Sequence, residues 1–201
     1  MLFYAIRVLF VVICVLAVFV VARRVRAAKA KKNILYFVGI PLAVCCLICW
    51  YVPVENAFID FRSPQSAYRY SNTDEIALTV EGKQSALVVG QGRDDTSYTI
   101  VRKSNKGFKE NVGLKNGLQN VNTVFSKMTQ NEFIDVYNLK GTDDYYIIVK
   151  GINENPVSVA DNRGSEFYEY RDSVFGTRSY FAVVDSVEGY VLEVGGEKYR
   201  F

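Results

Sequence analysis

The sequence predicts two transmembrane α-helices that form a hairpin, followed by a β-rich extracytoplasmic domain, mainly antiparallel and of the α+β type with one short helix. Three observations predict this fold class. No acidic residue precedes Glu55, and the chain before it consists of two long apolar runs separated by a basic cluster. After Glu55, short stretches with strand-like alternation recur between turn-forming residues.

The apolar runs at 1–22 and 34–52 are each close to the ~20 residues that a helix needs to cross the hydrocarbon core of a bilayer. Arg7 interrupts the first run, but near the end of a span its long side chain can extend to the headgroups. Trp50 and Tyr51 lie at the end of the second run, where an interfacial aromatic anchor is expected. We therefore predict one transmembrane helix in each run.

The segment 23–33 between the two runs is strongly basic. Short loops rich in Lys and Arg remain cytoplasmic, so both ends of the chain are expected outside. The predicted localisation is the cell membrane, with two spans and the C-terminal domain outside the cytoplasm. Membrane lipid is a predicted partner, and the loop either sets orientation alone or also binds anionic headgroups. The membrane-orienting residues are Arg23, Arg24, Arg26, Lys29, Lys31 and Lys32.

The charge divides at the same point. Seven of the 24 Lys and Arg lie before residue 53, and all 21 acidic residues lie after it. The segment 53–201 therefore has a formal net charge of −4, although the whole chain carries +3. The basic residues are not displayed on the predicted domain, so we expect no nucleic-acid partner.

The segment 53–201 is predicted to be one extracytoplasmic β-rich domain. Ser63 and Pro64 predict the N-cap and first turn of a short helix that continues to Tyr70. The stretch 121–125 fits either a strand or a helical turn. Strand signals occur at 75–80, 86–89, 98–101, 133–139, 145–149, 157–159, 167–170, 180–184 and 190–194. Turn signals separate the last four of these strands at 161–164 and 185–189.

Two stretches of this domain resemble each other. Asp95 is followed by the strand-like segment 98–102, and Asp144 by the similar segment 146–150. An alternative to one unit is therefore a domain of two related halves that meet near residue 120.

The residue types exclude several kinds of chemistry. The chain has no histidine, and all four cysteines lie in the apolar runs. Ser-His-Asp and Cys-His nucleophiles and His or Cys zinc sites in the domain are therefore excluded. Pairs of Asp and Glu residues occur, but Asp and Asn are also common turn formers. We predict no catalytic residue, no cofactor and no metal ligand.

Tyrosines are frequent in the predicted domain. Exposed tyrosines provide rigid amphipathic area for glycan or protein contacts, but tyrosine also favours strands for structural reasons. Tyr168 and Tyr170 alternate with charged residues in one predicted strand. These two residues are the predicted ligand surface, and the structural role is the alternative.

Two short segments carry a resemblance. Ser63-Pro64-x-x-Ala67-Tyr68 and Gly195-Gly196-Glu197-Lys198-Tyr199 resemble segments of small membrane-anchored extracytoplasmic proteins of Gram-positive bacteria that have no assigned function. The resemblance implies an anchored outer domain. It covers little of the chain and carries over no catalytic residue.

The function predicted from these features is a membrane-anchored, extracytoplasmic binding or protein-interaction module that is not an enzyme. A protein partner in or at the membrane is expected. The first alternative is a carboxylate-dependent hydrolase of cell-surface polysaccharide, which needs two opposed carboxyl groups and a raised pKa. The second alternative is a small accessory subunit of a membrane complex.

Overall fold

The computed structural model describes residues 2–24, 35–51, 59–93, 95–109, 121–152, 156–172 and 176–201. The chain divides into two compact units, 1–58 and 59–201. The first unit is helical, and the second consists of antiparallel sheets with one helix.

The first unit contains helix α1 (Leu2–Arg24), a π-helix (Leu35–Gly39) and helix α2 (Ile40–Tyr51). Helix α1 packs against both of the others. Most of the described apolar side chains of α1 between Ile6 and Val20 are exposed, whereas Cys14 and Arg7 are buried.

The prediction of two transmembrane helices at 1–22 and 34–52 is wrong. Among the residues that the structure describes, no helix combines the length and the apolar character needed to cross a membrane. In α1 only 15 residues separate Arg7 from Arg23, and α2 has 12 residues, against the ~20 that a span needs. Arg7 is 4% exposed, so its side chain does not extend outward as predicted.

The predicted localisation, a two-span cell-membrane protein with its C-terminal domain outside the cytoplasm, is wrong for the same reason. Of the predicted membrane-orienting residues, Arg23 is exposed near the end of α1. The remaining predicted residues of this unit lie outside the described residues or have side chains outside them: Arg24, Arg26, Lys29, Lys31, Lys32, Trp50 and Tyr51.

The second unit contains helix α3 (Pro64–Ser71) and antiparallel strands that form three sheets. Sheet 1 has the order β1-β2-β3-β4, sheet 2 the order β5-β6-β7-β10-β9, and sheet 3 the order β12-β11-β8. The strands are β1 (Glu75–Glu81), β2 (Ser85–Gln91), β3 (Thr96–Ser104), β4 (Gly107–Lys109), β5 (Val121–Met128), β6 (Glu132–Leu139), β7 (Tyr145–Gly151), β8 (Val159–Asp161), β9 (Tyr168–Arg171), β10 (Arg178–Val184), β11 (Val191–Val194) and β12 (Glu197–Arg200).

The core shows that these elements are stacked in layers. Leu87 and Val89 of sheet 1 pack with Tyr146 and Ile148 of sheet 2. The other face of sheet 2 packs against sheet 3 in a second cluster of buried residues. The other face of sheet 1 packs against α3. The order of layers is therefore α3, sheet 1, sheet 2, sheet 3.

Sheets 1 and 2 are covered on both faces over much of their area, and this explains their sequences. Successive side chains of a strand point to opposite faces, so a strand buried on both faces is apolar at every position. The runs 86–89 in β2 and 146–149 in β7 have this character, and all eight residues are nearly inaccessible.

Helix α3 begins as predicted. The side chain of Ser63 accepts a hydrogen bond from the Ser66 backbone N–H, and the Ser66 side chain accepts one from the Ser63 N–H. This reciprocal capping, with Pro64 in the first turn, fixes the start of the helix. Ala67 and Tyr68 are fully buried against sheet 1.

The β-rich, mainly antiparallel character of this unit is confirmed. The turn signals at 161–164 and 185–189 mark turns, but neither turn closes a hairpin. Strand β8 pairs with β11, and β9 pairs with β10, so each of these turns carries the chain from one sheet to another. The relation between two halves that meet near residue 120 stays a prediction.

Candidate functional site

Strand β5 is one edge of sheet 2. In the described part of the chain its only strand partner is β6, which pairs with it from Val121 to Met128. The register shifts between Thr123 and Phe125, so Val124 is an extra residue in a β-bulge. An edge strand presents a row of backbone N–H and C=O groups that lack a strand partner on one side.

Three apolar side chains are exposed beside this edge, and we call them the β5 patch: Val124, Met128 and Phe133. Val124 is 42% exposed, Met128 65% and Phe133 39%. Met128 and Phe133 lie directly opposite each other on β5 and β6, so their side chains share one face of the sheet. Val124 lies in the bulge, four residues before Met128 on the same strand.

The opposite face of β5 is packed. Phe125 contacts Phe201 edge-on, with 4.8 Å between the ring centroids, and lies 6.4 Å from the ring of Tyr199. The ammonium of Lys127 lies 4.8 Å from the Tyr199 ring centroid, within range of a cation–π contact. These contacts hold β5 against the sheet 3 layer, so the exposed patch is carried on an anchored strand.

The other edge of sheet 2 is β9, which carries the predicted ligand residues Tyr168 and Tyr170. Tyr168 is 37% exposed and donates a 2.9 Å hydrogen bond to Glu166, which raises the pKa of the tyrosine. Tyr170 is half-buried against sheet 1 and donates a hydrogen bond to Gln91. The structure therefore places one of the two tyrosines on the surface and uses the other in packing.

Strand β9 is also short and charged. It has four residues, and the Glu169 carboxylate forms a 2.6 Å ion pair with Arg178 on the neighbouring strand. Short length and charged side chains are devices that protect an edge strand from adding a further strand. The β9 edge of sheet 2 is therefore short and charged, whereas the β5 edge is longer and has an exposed apolar patch beside it.

The buried carboxylate of Asp144 is a polar centre of the second unit. It accepts hydrogen bonds from the backbone N–H groups of Lys83 and Gln84, at 2.9 and 2.7 Å, and from Ser85 Oγ at 2.7 Å. Tyr146 lies 2.9 Å from Ser85 Oγ, and because the serine proton goes to Asp144, the tyrosine is the donor. Burial raises the pKa of Tyr146.

Serine, aspartate and tyrosine are residue types that occur in nucleophilic catalytic sites, but a substrate cannot reach these three side chains. Ser85 and Tyr146 are fully buried, and Asp144 is 2% exposed. The carboxylate is saturated by donors from the β1–β2 turn. Its arrangement fits a structural role, which is to hold sheet 1 against sheet 2.

A cleft of about 430 Å³ lies beside this network, lined by Lys83, Arg163 and Asp185 among others. Lys83 Nζ lies 3.0 Å from Asp185 Oδ2, and Arg163 lies 3.7 Å from Oδ1. The hydrogen bond from Lys83 holds the pKa of Asp185 below its usual value. Both cations of the cleft are therefore paired with the same carboxylate, Asp185.

The turn at 161–164 holds a second perturbed carboxyl group. Asp161 Oδ1 accepts hydrogen bonds from the backbone N–H groups of Arg163 and Ser165, each at 2.9 Å. Burial raises the pKa of Asp161, but hydrogen bonds from Ser165 and Arg163 outweigh this effect and lower it. Within the described ranges, no group of three or more His, Cys, Asp or Glu residues is placed to hold a metal ion.

The β5 patch was missed by the sequence reasoning. The segment 121–125 was compatible with a strand, but Val124, Met128 and Phe133 have the same residue types as core positions. Only the strand order, which places β5 at an edge, distinguishes them. No family model, no curated protein and no solved structure matches this chain.

Proposed function

We propose that residues 59–201 form a non-enzymatic protein-interaction module that binds its partner at the β5 edge of sheet 2. The observation that carries this proposal is the contrast between the two edges of that sheet. The β9 edge is four residues long and charged, whereas the β5 edge is eight residues long, with one charged residue and an apolar patch beside it.

The mode of binding that suits such an edge is strand addition. An extended segment pairs with the backbone groups of β5 that have no strand partner in the described part of the chain, and its alternate side chains cover the patch. Backbone hydrogen bonds supply the general attraction, and the patch supplies the preference for apolar side chains at alternate positions.

The polar chemistry of the unit supports a binding role over the carboxylate-hydrolase alternative. A hydrolase needs an acid with a raised pKa opposite a second carboxylate. Asp144 is saturated and buried, and the pKa values of Asp161 and Asp185 are lowered.

The proposal is tested by photo-crosslinking in cells with a benzophenone amino acid at position 128, and with the same group at the exposed Glu188 as the positional control. An intermolecular adduct is expected at 128 and not at 188. Val124→Lys is expected to abolish the adduct, because it places a charge in the β5 patch.

The matched control variant is Tyr168→Lys, which puts the same side chain on the other edge of the same sheet. This variant is expected to leave the adduct at 128 unchanged. Loss of the adduct in Tyr168→Lys alone would move the binding surface to β9, and absence of any specific adduct at 128 would refute the proposal.

A further inference from the structure

We propose that the partner at the β5 edge is a second copy of this chain, and that the two β5 strands pair antiparallel about a twofold axis at Ser126. This inference rests on the proposed function, because it names the occupant of the edge described there. It follows from the pattern of side chains along 124–128.

The twofold axis restricts the register. Directly opposed residues of an antiparallel pair lie on the same face of the sheet. A twofold axis perpendicular to the sheet must therefore lie midway between one residue and the same residue of the second copy. With the axis at Ser126, Val124 lies opposite Met128 of the second copy, and Phe125 lies opposite Lys127. Each of these pairs occurs twice.

The apolar side chains favour this register. Val124 and Met128 are the two most exposed side chains of the β5 patch, and this register places them at directly opposed positions of the two strands. Phe133 lies opposite Met128 on the neighbouring strand and extends the apolar stripe. An axis at Phe125 would instead place Val124 opposite Ser126 and Met128 opposite Asn122, which leaves both apolar side chains beside polar partners.

The charges favour the same register. Lys127 is the only charged residue of β5, and an axis at Lys127 would place two ammonium groups directly opposite each other, which is destabilising. With the axis at Ser126, each ammonium lies opposite the ring of Phe125. Lys127 already lies on the Tyr199 ring of its own chain, so the pairing adds an aromatic neighbour to a cation that has one.

The bulge and the lysine are also features that protect edges from open-ended strand addition. They are compatible with this pairing, because regular pairing with β6 resumes at Phe125, so that only Val124, at one end of the paired segment, lies in the bulge. A twofold pair is closed, since each copy uses its β5 edge once. The β9 edges that remain at the two ends of the joined sheet are short and charged.

The contact is small. Strand pairing over 124–128 with the patch beside it is a contact at the low end of specific interfaces, below about 1,200 Å². We therefore expect a reversible dimer whose population depends on protein concentration.

The test is disulfide trapping in the full chain with Cys14, Cys45, Cys46 and Cys49 replaced by alanine. Opposed Cα atoms in an antiparallel pair are about 4.5–5.5 Å apart, which a disulfide can span. Ser126→Cys is therefore expected to form a covalent dimer under mild oxidation. Glu188→Cys, an exposed position on a turn, is the control and is expected to remain monomeric.

The register has its own test. Val124→Cys and Met128→Cys are each expected to give little dimer alone, because in the twofold pair equivalent residues lie about 14 Å apart along the strands. A mixture of the two variants is expected to give the mixed disulfide. Because α1 exposes apolar side chains, total association is not informative, and these position-specific products are the readout.

The outcomes separate this inference from the proposed function. Trapping at 126 above the level at 188 supports both. An adduct of the benzophenone at 128 with a different protein, without trapping at 126, overturns the second copy and leaves the β5 edge as the binding surface. Absence of both products overturns both. Equal trapping at 126 and 188 indicates random collision and overturns the dimer.

Discussion

Asp144 joins the two large sheets through one carboxylate. Its three donors are the N–H groups of Lys83 and Gln84, in the turn between β1 and β2, and the hydroxyl of Ser85, the first residue of β2. Gly82 is fitted closely to it, because a Cβ there would lie 2.5 Å from the carboxylate. The turn and the acid are therefore matched in both shape and hydrogen bonding.

We predict that Asp144→Ala lowers the free energy of unfolding by about 2–4 kcal/mol, because it leaves several buried donors without an acceptor. The measurement is urea unfolding of the full chain, followed by a signal from the second unit. Asp143→Ala is the matched control, since Asp143 is exposed and accepts only a 3.4 Å contact from Gln84. Its expected effect is under about 0.5 kcal/mol. Equal effects of the two variants would show that the Asp144 network does not stabilise the fold.

At the residue scale, the sequence predicted the role of a residue only where that role depends on its near neighbours in the chain. Ser63 and Pro64 act within one helical turn, and both were predicted correctly. The role of Asp144 was not predicted, because its partners are about 60 positions away in the sequence. Tyr170 could not be distinguished from Tyr168, since its burial depends on where sheet 1 lies.

At the scale of elements, α3 is fitted tightly to sheet 1. Ala67 of α3 is fully buried and packs with Ala86 and Val88 of β2. Gly90 permits the close approach, because a Cβ at that position would lie 1.8 Å from the hydroxyl oxygen of Tyr68. The small residues on both elements set the distance between the helix and the sheet.

We predict that Ala67→Leu destabilises the second unit by about 1–3 kcal/mol, because added methyl groups must push the helix away from the sheet. Thermal or urea unfolding is the measurement. Arg69→Leu introduces the same side chain at an exposed position of the same helix and is expected to have little effect. An Ala67→Leu variant as stable as the parent would contradict the close packing.

Most strands were predicted from the sequence, but the pairing of β8 with β11 and of β9 with β10 was not. Alternation and turn residues are local signals, so β1, β2, β3, β6 and β7 were found close to their observed bounds. Turns at 161–164 and 185–189 were also found. Because β8 and β11 pair across more than 30 residues, nothing in either turn indicates that the chain leaves one sheet for another there.

At the scale of the whole chain, runs of apolar residues have a different structure in each of the two units. Apolar runs in the first unit predicted membrane spans, and the described helices do not meet that requirement. Apolar runs in the second unit are strands buried on both faces between layers. Composition alone does not distinguish an apolar membrane span from an apolar strand buried on both faces. For the first unit, the length of uninterrupted apolar helix in the described residues decides against a span.

The central claim is that the β5 edges of two copies of the chain pair with each other, and hydrogen–deuterium exchange of the full chain at several protein concentrations tests it most directly. We predict that amides within 121–128 exchange more slowly as the concentration rises. Amides within 168–171 on the opposite edge are expected to be unaffected, and Val124→Lys is expected to remove the added protection. Exchange in 121–128 that is independent of concentration and unchanged by Val124→Lys would contradict self-pairing at this edge.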